Sequence, residues 1–340
     1  MSLYTDLTVA KRKELLTEVT TKYNNLPAQS IEKDWWVTMV LRALFNSKYA
    51  PHISFKGGTS LSKCFGIIDR FSEDVDIAIS REFLGFSGEL SKTQVSDRLR
   101  RASCSFVREV LPNEITAQLA ALGIPQVEFE VKVNITSVTT TDPEIVEVHY
   151  KSIFENVGYV RDKVLIEVSG RSMSEPTESV EVCSMIAQAL PNIKYADSKF
   201  SLTAVSPKRT FLEKACLLHE EFAQTTRAVR VQRMSRHLYD LERLASCGVA
   251  KEVLADGELY RAVIEHRRKF IGLKGFDYSE LLPQNISFVP PADVIGSWRD
   301  DYKAMQQSMI YGESLDFNEL IARISELNTQ FNNIELSRVK

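Results

Sequence analysis

The sequence predicts an α+β fold in which a mixed-sheet domain with N-terminal helices is followed by a C-terminal helical domain. Apolar residues recur at helical spacing near the N-terminus and then alternate with polar residues in several short segments up to residue 168. Beyond Pro207 the helical period returns and persists. This change of period predicts two domains, 1–204 and 205–340, with residues 192–207 as the connecting loop.

The elements follow from a period of 3.6 for helices and of 2 for strands. In the first domain the predicted elements are helices at 15–23 and 36–44, a strand at 52–55, a helix at 61–68, a strand at 74–79, a helix at 93–122, and strands at 127–138, 145–153 and 164–168. In the second domain the predicted helices are 210–222, 229–247, 251–270, 294–310 and 318–328.

The composition indicates an ordinary folded protein of 340 residues, 44% hydrophobic and 26% charged. Because 42 basic and 45 acidic residues give a net charge of −3, any nucleic-acid contact must come from a local basic surface. The five cysteines are scattered without a C-x-x-C pair, which argues against zinc ribbons and disulfide frameworks. No apolar run reaches transmembrane length and no signal peptide is visible, so we expect a cytoplasmic protein without a membrane partner.

The most informative local motif is the run Lys56-Gly57-Gly58-Thr59-Ser60, which follows a predicted strand and leads into a predicted helix. Two glycines permit positive φ and allow the backbone to approach a ligand closely. Backbone N–H groups, the helix N-terminus and the Thr59 and Ser60 hydroxyls could together bind phosphate. The P-loop pattern is absent, and a Gly-Gly pair alone usually marks only a turn. We therefore predict a phosphate cradle that needs a second feature to support it.

That second feature is a pair of aspartates. Asp74 and Asp76 are two residues apart in an extended segment, so both side chains leave the same face of the strand. They alternate with Val75 and Ile77, and two adjacent carboxylates repel each other unless a cation lies between them. Two carboxylates plus phosphate oxygens suit Mg²⁺. The pair therefore predicts a site for one or two magnesium ions.

A Gly-Gly-Thr-Ser turn, a short helix and a D-x-D strand together resemble the nucleotidyltransferase superfold of the DNA polymerase β type. More narrowly, the chain is similar to the AbiEii/AbiGii toxin family. The blocks that carry the resemblance are IEKDWW at 31–36, FKGGTSLSK at 55–63, FSEDVDI at 71–77, VLIEV at 164–168, SPKRTFLEK at 206–214 and RHLYDL at 236–241. The last block departs from the family, because Arg236-His237 stands where Lys-Asp is usual.

The resemblance implies roles for three further residues. Glu167 would act as a third carboxylate that completes the metal site or deprotonates the attacking hydroxyl. The alternative third acids are Glu128, Glu130 and Glu147. Lys214 would reach the nucleotide phosphates, where an ammonium offsets the charge of departing pyrophosphate. Asp240 would either hold Lys214 in place or help to activate the acceptor.

Arg227, Arg230, Arg233 and Arg236 recur at every third position. On a helix this spacing would form a basic stripe that fits a nucleic-acid backbone or a triphosphate. The alternative is a solvated face paired with nearby glutamates. We therefore treat the four arginines as candidate nucleic-acid-binding residues.

Taken together, the residues and the resemblance predict a Mg²⁺-dependent nucleotidyltransferase. By resemblance it would be a bacterial toxin that transfers a nucleotide from an NTP to RNA, such as the tRNA 3′ end, and its partner would be a cognate antitoxin. Two alternatives remain open at this point. One is nucleotidylation of a protein hydroxyl, and the other is a nucleotide-binding module without catalysis.

Overall fold

A computed structural model describes residues 3–24, 26–134, 144–155 and 161–334. By their contacts the residues divide into two units. The sheet unit comprises Met1–Cys64 and Phe71–Val205, and the helical unit comprises Phe65–Arg70 and Ser206–Lys340. The division after Val205 lies next to the proposed boundary, but residues 65–70 were not expected in the helical unit. The division into the domains 1–204 and 205–340 stays a prediction.

The sheet unit is built on a mixed sheet, which in the described residues has seven strands in the order β3-β4-β5-β2-β1-β7-β6. The strands are β1 Ile53–Lys56, β2 Val75–Ile79, β3 Phe129–Asn134, β4 Glu144–Tyr150, β5 Lys163–Ser169, β6 Thr177–Val182 and β7 Phe200–Val205. β2 runs antiparallel to β1 and parallel to β5, and β1 runs parallel to β7. Buried Val75, Ile77 and Ile166 form the apolar face at the centre of this sheet.

Helices accompany the sheet. They are α1 Val9–Thr20, α2 Ala28–Asn46, α3 Gly57–Lys63, α4 Arg100–Ser105, α5 Leu111–Ala121 and α6 Met185–Ala189, with π-helical turns at Gln94–Leu99 and Phe106–Val110. α2 is buried on every side from Ser30 to Leu44, and it packs against α1, α5, α6, β5 and β7. Trp35 and Trp36 are buried within it. α2 is therefore the central helix of this unit.

The helical unit contains α7 Pro207–Phe222, α8 Arg236–Ser246, α9 Val249–Leu254, α10 Gly257–His266, α11 Ile295–Ser308 and α12 Phe317–Asn332, with a π-helical turn at Arg267–Ile271. Its core holds large aromatic side chains. Phe211 of α7 stacks on Phe331 of α12, and Phe288 meets the same ring edge-on. Burial of such rings accounts for much of the apolar stabilisation of a small helical unit.

The predicted fold class is confirmed, since the chain combines a mixed sheet and N-terminal helices with a helical C-terminal part. Several predicted elements are wrong in detail. The predicted connecting loop 192–207 is correct only for 192–199, because 200–205 form β7, which pairs with both β1 and β6. Helix 61–68 is instead α3, which starts at Gly57 and ends at Lys63. Positions 135–138 of the predicted strand 127–138 lie outside the described residues.

Two predicted helices are interrupted. The segment predicted as 229–247 becomes helical only at Arg236, and 251–270 is divided among α9, α10 and the π-helical turn. The five cysteines are free thiols. In the described ranges, no helix combines the length and hydropathy that crossing a bilayer would require.

Candidate active site

The predicted motif residues of the sheet unit lie side by side across three adjacent strands. Asp76 on β2 is the register partner of Lys56 on β1 and of Glu167 on β5. Register partners on neighbouring strands project from the same face and are about 5 Å apart. The two carboxylates and the ammonium therefore share one face of the sheet. Asp74 directly precedes β2 and is two residues from Asp76, so alternation along the extended chain places it on this same face.

The glycine turn approaches the aspartate pair closely. Gly57 is the first residue of α3 and has φ = +86°, a conformation that side chains disfavour. A Cβ at this position would lie well within 3.0 Å of the Asp76 carboxylate. Glycine is thus required both by its backbone angle and by the carboxylate packed against it. The arrangement brings together Gly57 and Asp76, which the sequence could identify only as separate motifs.

The next two residues of the turn are buried and serve its structure. Thr59 and Ser60 are 2% and 0% exposed, and the Thr59 Oγ1 lies 2.9 Å from the Ser72 hydroxyl. Donation from these two hydroxyls to phosphate stays a prediction. Thr59 also links the first turn of α3 to the segment that leads into Asp74. Lys56, Gly57 and Gly58 remain partly exposed.

Asp74 and Asp76 fit a divalent ion whose other ligands are water and phosphate oxygens. Within the described ranges, no three histidine, cysteine or acidic side chains form a ready-made metal site. The role of Glu167 as the third carboxylate of a metal site stays a prediction. Asp74 and Asp76 match an ion that takes one or two carboxylates and fills its shell with water and phosphate oxygens.

The alternative third acids have other partners. Glu128 accepts from Arg12, and Glu130 pairs with Lys132. Glu147 on β4 is 2.6 Å from the Lys163 ammonium and also bonds His149. Burial raises the pKa of Glu147, but the hydrogen bonds from Lys163 and His149 lower it more. Of these four acids, Glu167 is the one beside Asp76.

A second cluster lies within the helical unit and contains the other two predicted site residues. Asp240 on α8 is fully buried and lies 2.8 Å from the Lys214 ammonium on α7. The Arg70 guanidinium donates two hydrogen bonds, of 2.7 and 2.8 Å, to the same carboxylate. The Nδ1 of His237 lies 3.5 Å from the Lys214 Nζ. Of the two roles predicted for Asp240, this geometry favours holding Lys214 in place.

The cluster is electrostatically unusual because two cations share one buried anion. Burial raises the pKa of Asp240, yet Arg70 and Lys214 outweigh it and hold that pKa well below its ordinary value. Burial lowers the pKa of Lys214, and Asp240 opposes the shift. Burial also lowers the pKa of His237 well below its ordinary value, and the neighbouring Lys214 adds to the effect. The net charge of Arg70, Lys214 and Asp240 is positive, which suits an anionic ligand.

The predicted helical stripe of arginines is wrong, because only Arg236 lies on a helix. Arg227 and Arg230 both bind the buried carboxylate of Glu221, at distances of 2.6 to 2.7 Å. Burial raises the pKa of Glu221, but these arginines bring it down to about 2. Arg233 has φ = +62°, which breaks any helical continuation. Pairing with a nearby glutamate, the alternative weighed from the sequence, applies to Arg227 and Arg230.

Comparison with known proteins identifies the fold and the family. A sequence model of the AbiEii nucleotidyl transferase toxins of type IV toxin–antitoxin systems matches residues 40–323. The chain belongs to this family. The resemblance inferred from the motifs is confirmed, and the protein is a nucleotidyltransferase of the AbiEii type. No curated protein sequence matches the chain.

Comparison with solved structures finds similar chains at low identity. MenT4, a nucleotidyltransferase toxin from Mycobacterium tuberculosis H37Rv, superimposes with a TM-score of 0.50 at 18% identity, covering 97% of this chain and 91% of that one. Helicobacter pylori JHP933 gives a TM-score of 0.35 at 12% identity, covering 90% of this chain and 98% of that one. The likeness to MenT4 shows the fold alone.

Sequence reasoning missed several charged residues around these clusters. Arg70, which binds Asp240, follows the predicted helix 61–68 and carries no motif of its own. Lys33 and Asp34 belong to the IEKDWW block, where the resemblance marked them without a role. The run of three charges Glu32-Lys33-Asp34, followed directly by a mostly apolar stretch, is the signal that could have found Lys33 and Asp34, because such charges are seldom buried without partners.

Replacing Gly57 by alanine in this AbiEii nucleotidyltransferase should strongly reduce transfer. The new Cβ would displace the Asp76 carboxylate, and the positive φ adds a cost of about 1 kcal/mol to the backbone. We expect the rate to fall on the order of 100-fold, as a misplacement of about 1 Å does. Initial rates at saturating NTP would measure this. Gly85→Ala is the control, since that glycine also has positive φ but nothing within 4 Å of its Cβ position. Equal losses in the two variants would contradict the account.

Stability of the protein should fall as the solution is acidified through pH 6.5. The pKa values of His237 and His219 are both lowered by burial, so the folded state resists protonation that the unfolded state accepts. Their contribution is present above pH 6.5 and is lost as the pH falls below it, by up to about 1.4 kcal/mol per pH unit for each histidine. Urea unfolding at pH 7.0 and 5.5 should show a smaller loss for His237→Gln than for wild type. An unchanged loss would refute the assignment.

Proposed function

We propose that this AbiEii-family protein uses Mg²⁺ to transfer a nucleotide from an NTP to an RNA acceptor, such as the tRNA 3′ end. The observation that carries the proposal is the packing of the Asp76 carboxylate against Gly57, with Lys56 and Glu167 as its neighbours across the sheet. A phosphate-binding turn and a metal-binding acid pair must be adjacent if one triphosphate is to meet both. Membership of a nucleotidyltransferase toxin family supports the same chemistry.

In this proposal each residue of the sheet unit has a defined task. The Gly57-Gly58 backbone and Lys56 bind the triphosphate, while Asp74 and Asp76 would hold the ion. When bound, the divalent ion supplies charge stabilisation to the entering and leaving oxygens. The acceptor hydroxyl oxygen attacks the α-phosphorus, the bond to the β-phosphate oxygen breaks, and pyrophosphate leaves. Glu167 accepts the hydroxyl proton.

The helical unit contributes charge at its own cluster. We propose that Lys214 contacts nucleotide phosphates and that Asp240 orients its ammonium through the 2.8 Å ion pair. We propose that Arg227 and Arg230 contact the acceptor. Their side chains are 42% and 58% exposed, and both form ion pairs with Glu221. Arg233 and Arg236 stay predicted nucleic-acid contacts without a helical stripe to support them. Such contacts with phosphate would weaken steeply as salt concentration rises.

The biological setting follows from the family. We propose that the partner is a cognate antitoxin and that the protein acts in the cytoplasm, where NTPs and tRNA are present. Induced expression should then stop bacterial growth, and cells that express Asp76→Asn at the same protein level should grow normally. A non-catalytic nucleotide-binding module would instead make both proteins equally toxic or equally harmless.

The acceptor can be identified directly. Purified protein is incubated with each α-labelled NTP and with either total RNA or lysate protein, and the labelled fraction is then separated. The proposal expects label in RNA of tRNA size, released by a 3′ exonuclease. Label in protein, resistant to nuclease, would establish nucleotidylation of a protein hydroxyl instead. Label in neither fraction, together with no release of pyrophosphate, would refute transfer.

A further inference from the structure

Lys33 and Asp34 belong to a run of three consecutive buried charged residues, Glu32-Lys33-Asp34, in the first half of the central helix α2. Lys33 is 3% exposed and Asp34 is 9% exposed, and the two residues that follow them in the helix, Trp35 and Trp36, are buried as well. Burying an ammonium and a carboxylate among apolar side chains is costly unless each has a close partner of opposite charge. Both residues have such a partner, and the position of those partners in the chain is informative.

Lys33 is bound to the segment that precedes the aspartate pair. Its ammonium lies 2.7 Å from the Glu73 carboxylate and donates a second hydrogen bond, of 3.0 Å, to the Arg161 carbonyl. Glu73 is 8% exposed. It is also the residue directly before Asp74. Asp74 leads directly into β2, so fixing Glu73 also fixes the start of the segment that carries Asp74 and Asp76.

Asp34 binds the C-terminal end of α3, the short helix that begins at Gly57. Its Oδ1 lies 2.7 Å from the ammonium of Lys63, the last residue of α3, and its Oδ2 accepts from the Met185 backbone N–H at 2.7 Å. The Lys63 ammonium also donates to the Thr38 hydroxyl on α2 at 2.8 Å. α3 begins at Gly57, so Asp34 fixes the short helix that carries the glycine turn.

The two pairs therefore connect one turn of α2 to both motifs of the proposed active site. Lys33 fixes the entry to Asp74 and Asp76, and Asp34 fixes the helix behind Gly57. Buried ion pairs contribute little net stability compared with apolar pairs of the same size. Their directional bonds nevertheless define one relative position for the groups that they join, which apolar contacts do not.

We propose that Lys33 and Asp34 are positioning residues that set the distance between the Asp74/Asp76 carboxylates and the Gly57 turn. They touch neither nucleotide nor metal and act through Glu73 and Lys63. This inference rests on the proposed function, because it assumes that the acid pair holds the metal of the bound NTP. Loss of a residue that orients metal ligands lowers metal affinity or activity by about 10- to 100-fold.

The test compares Lys33→Met with Arg42→Met, which removes another buried cation from the same helix. Arg42 pairs with Asp197 at 3.8 Å, away from both motifs in the chain. Binding of Mn²⁺ in the presence of a non-hydrolysable NTP analogue is measured by calorimetry, beside the Mg²⁺ concentration for half-maximal transfer. We expect Lys33→Met to weaken Mn²⁺ binding about tenfold, Lys33→Arg to recover most of it, and Arg42→Met to bind like wild type.

A second variant keeps the inference testable if Lys33→Met does not fold. Asp34→Asn retains an acceptor for the Met185 N–H while removing the charge opposite Lys63, and it should also weaken Mn²⁺ binding. The inference is overturned if the folded variants bind Mn²⁺ as tightly as Arg42→Met does. Asp76→Asn distinguishes a failure of the proposed function from a failure of the positioning role. If it leaves Mn²⁺ binding intact, the proposed function fails; if it abolishes binding while Lys33→Met and Asp34→Asn do not alter it, only the positioning role fails.

Discussion

Asp76→Asn should lower nucleotidyl transfer on the order of 1,000-fold while leaving the protein folded. The asparagine would keep the shape of the side chain beside Gly57 but lose the negative charge that attracts a divalent ion. Charge stabilisation by a bound metal amounts to several kcal/mol in the transition state, and each ~1.4 kcal/mol corresponds to a factor of ten in rate. Pyrophosphate release at saturating NTP and Mg²⁺ measures the loss.

The control for this prediction is Asp97→Asn. Asp97 lies in the same unit, with a side chain 40% exposed and paired with Arg101. Its removal takes away one negative charge without touching either motif, so transfer should remain within about a factor of two of wild type. A similar decrease in both variants would mean that net charge, and not the acid pair, governs the rate.

Asp240→Asn should destabilise the helical unit by about 3 to 5 kcal/mol. The substitution leaves the buried Arg70 and Lys214 cations without a counter-charge, and breaking a buried ion pair by removing one partner typically costs this much. The urea concentration at the unfolding midpoint, followed by tryptophan fluorescence with Trp298 as the reporter of this unit, gives the change in unfolding free energy.

Two further variants make this second prediction specific. Adding Arg70→Met to Asp240→Asn should restore part of the loss, because one of the uncompensated cations is then absent. Glu265→Gln breaks an exposed pair with Arg268 on the same unit and should leave the midpoint unchanged. An Asp240→Asn protein as stable as wild type would contradict the electrostatic description of the cluster.

The motifs that the sequence alone could reveal are those that depend on local spacing. A glycine pair after a strand and two aspartates at i and i+2 could be interpreted without knowledge of the fold. Their contact could not, because it depends on the antiparallel register that pairs Lys56 with Asp76. The ion pair from Lys33 to Glu73 spans 40 residues, so no local pattern could identify it.

The incorrect or missing predictions, namely the arginine stripe and the strands β6 and β7, also have specific structural causes. Arginines at every third position mimic a helix, but the buried Glu221 binds Arg227 and Arg230 outside any helix, and Arg233 adopts positive φ. The sequence pattern did not indicate β6. This strand lies at the edge of the sheet, and its exposed Glu178 and Glu181 weaken the alternation of apolar and polar residues. β7 does show alternation at Leu202 and Ala204, so the sequence could have identified it.

Anomalous diffraction from crystals grown with Mn²⁺ and a non-hydrolysable NTP analogue would test the account most directly. The central expectation is one binding site in which the metal bridges the triphosphate and the aspartate pair. A Mn²⁺ peak within ligand distance of both Asp74 and Asp76, with a phosphate oxygen against the Gly57 backbone, is the predicted result. Nucleotide bound elsewhere, or a peak away from both carboxylates, would contradict it.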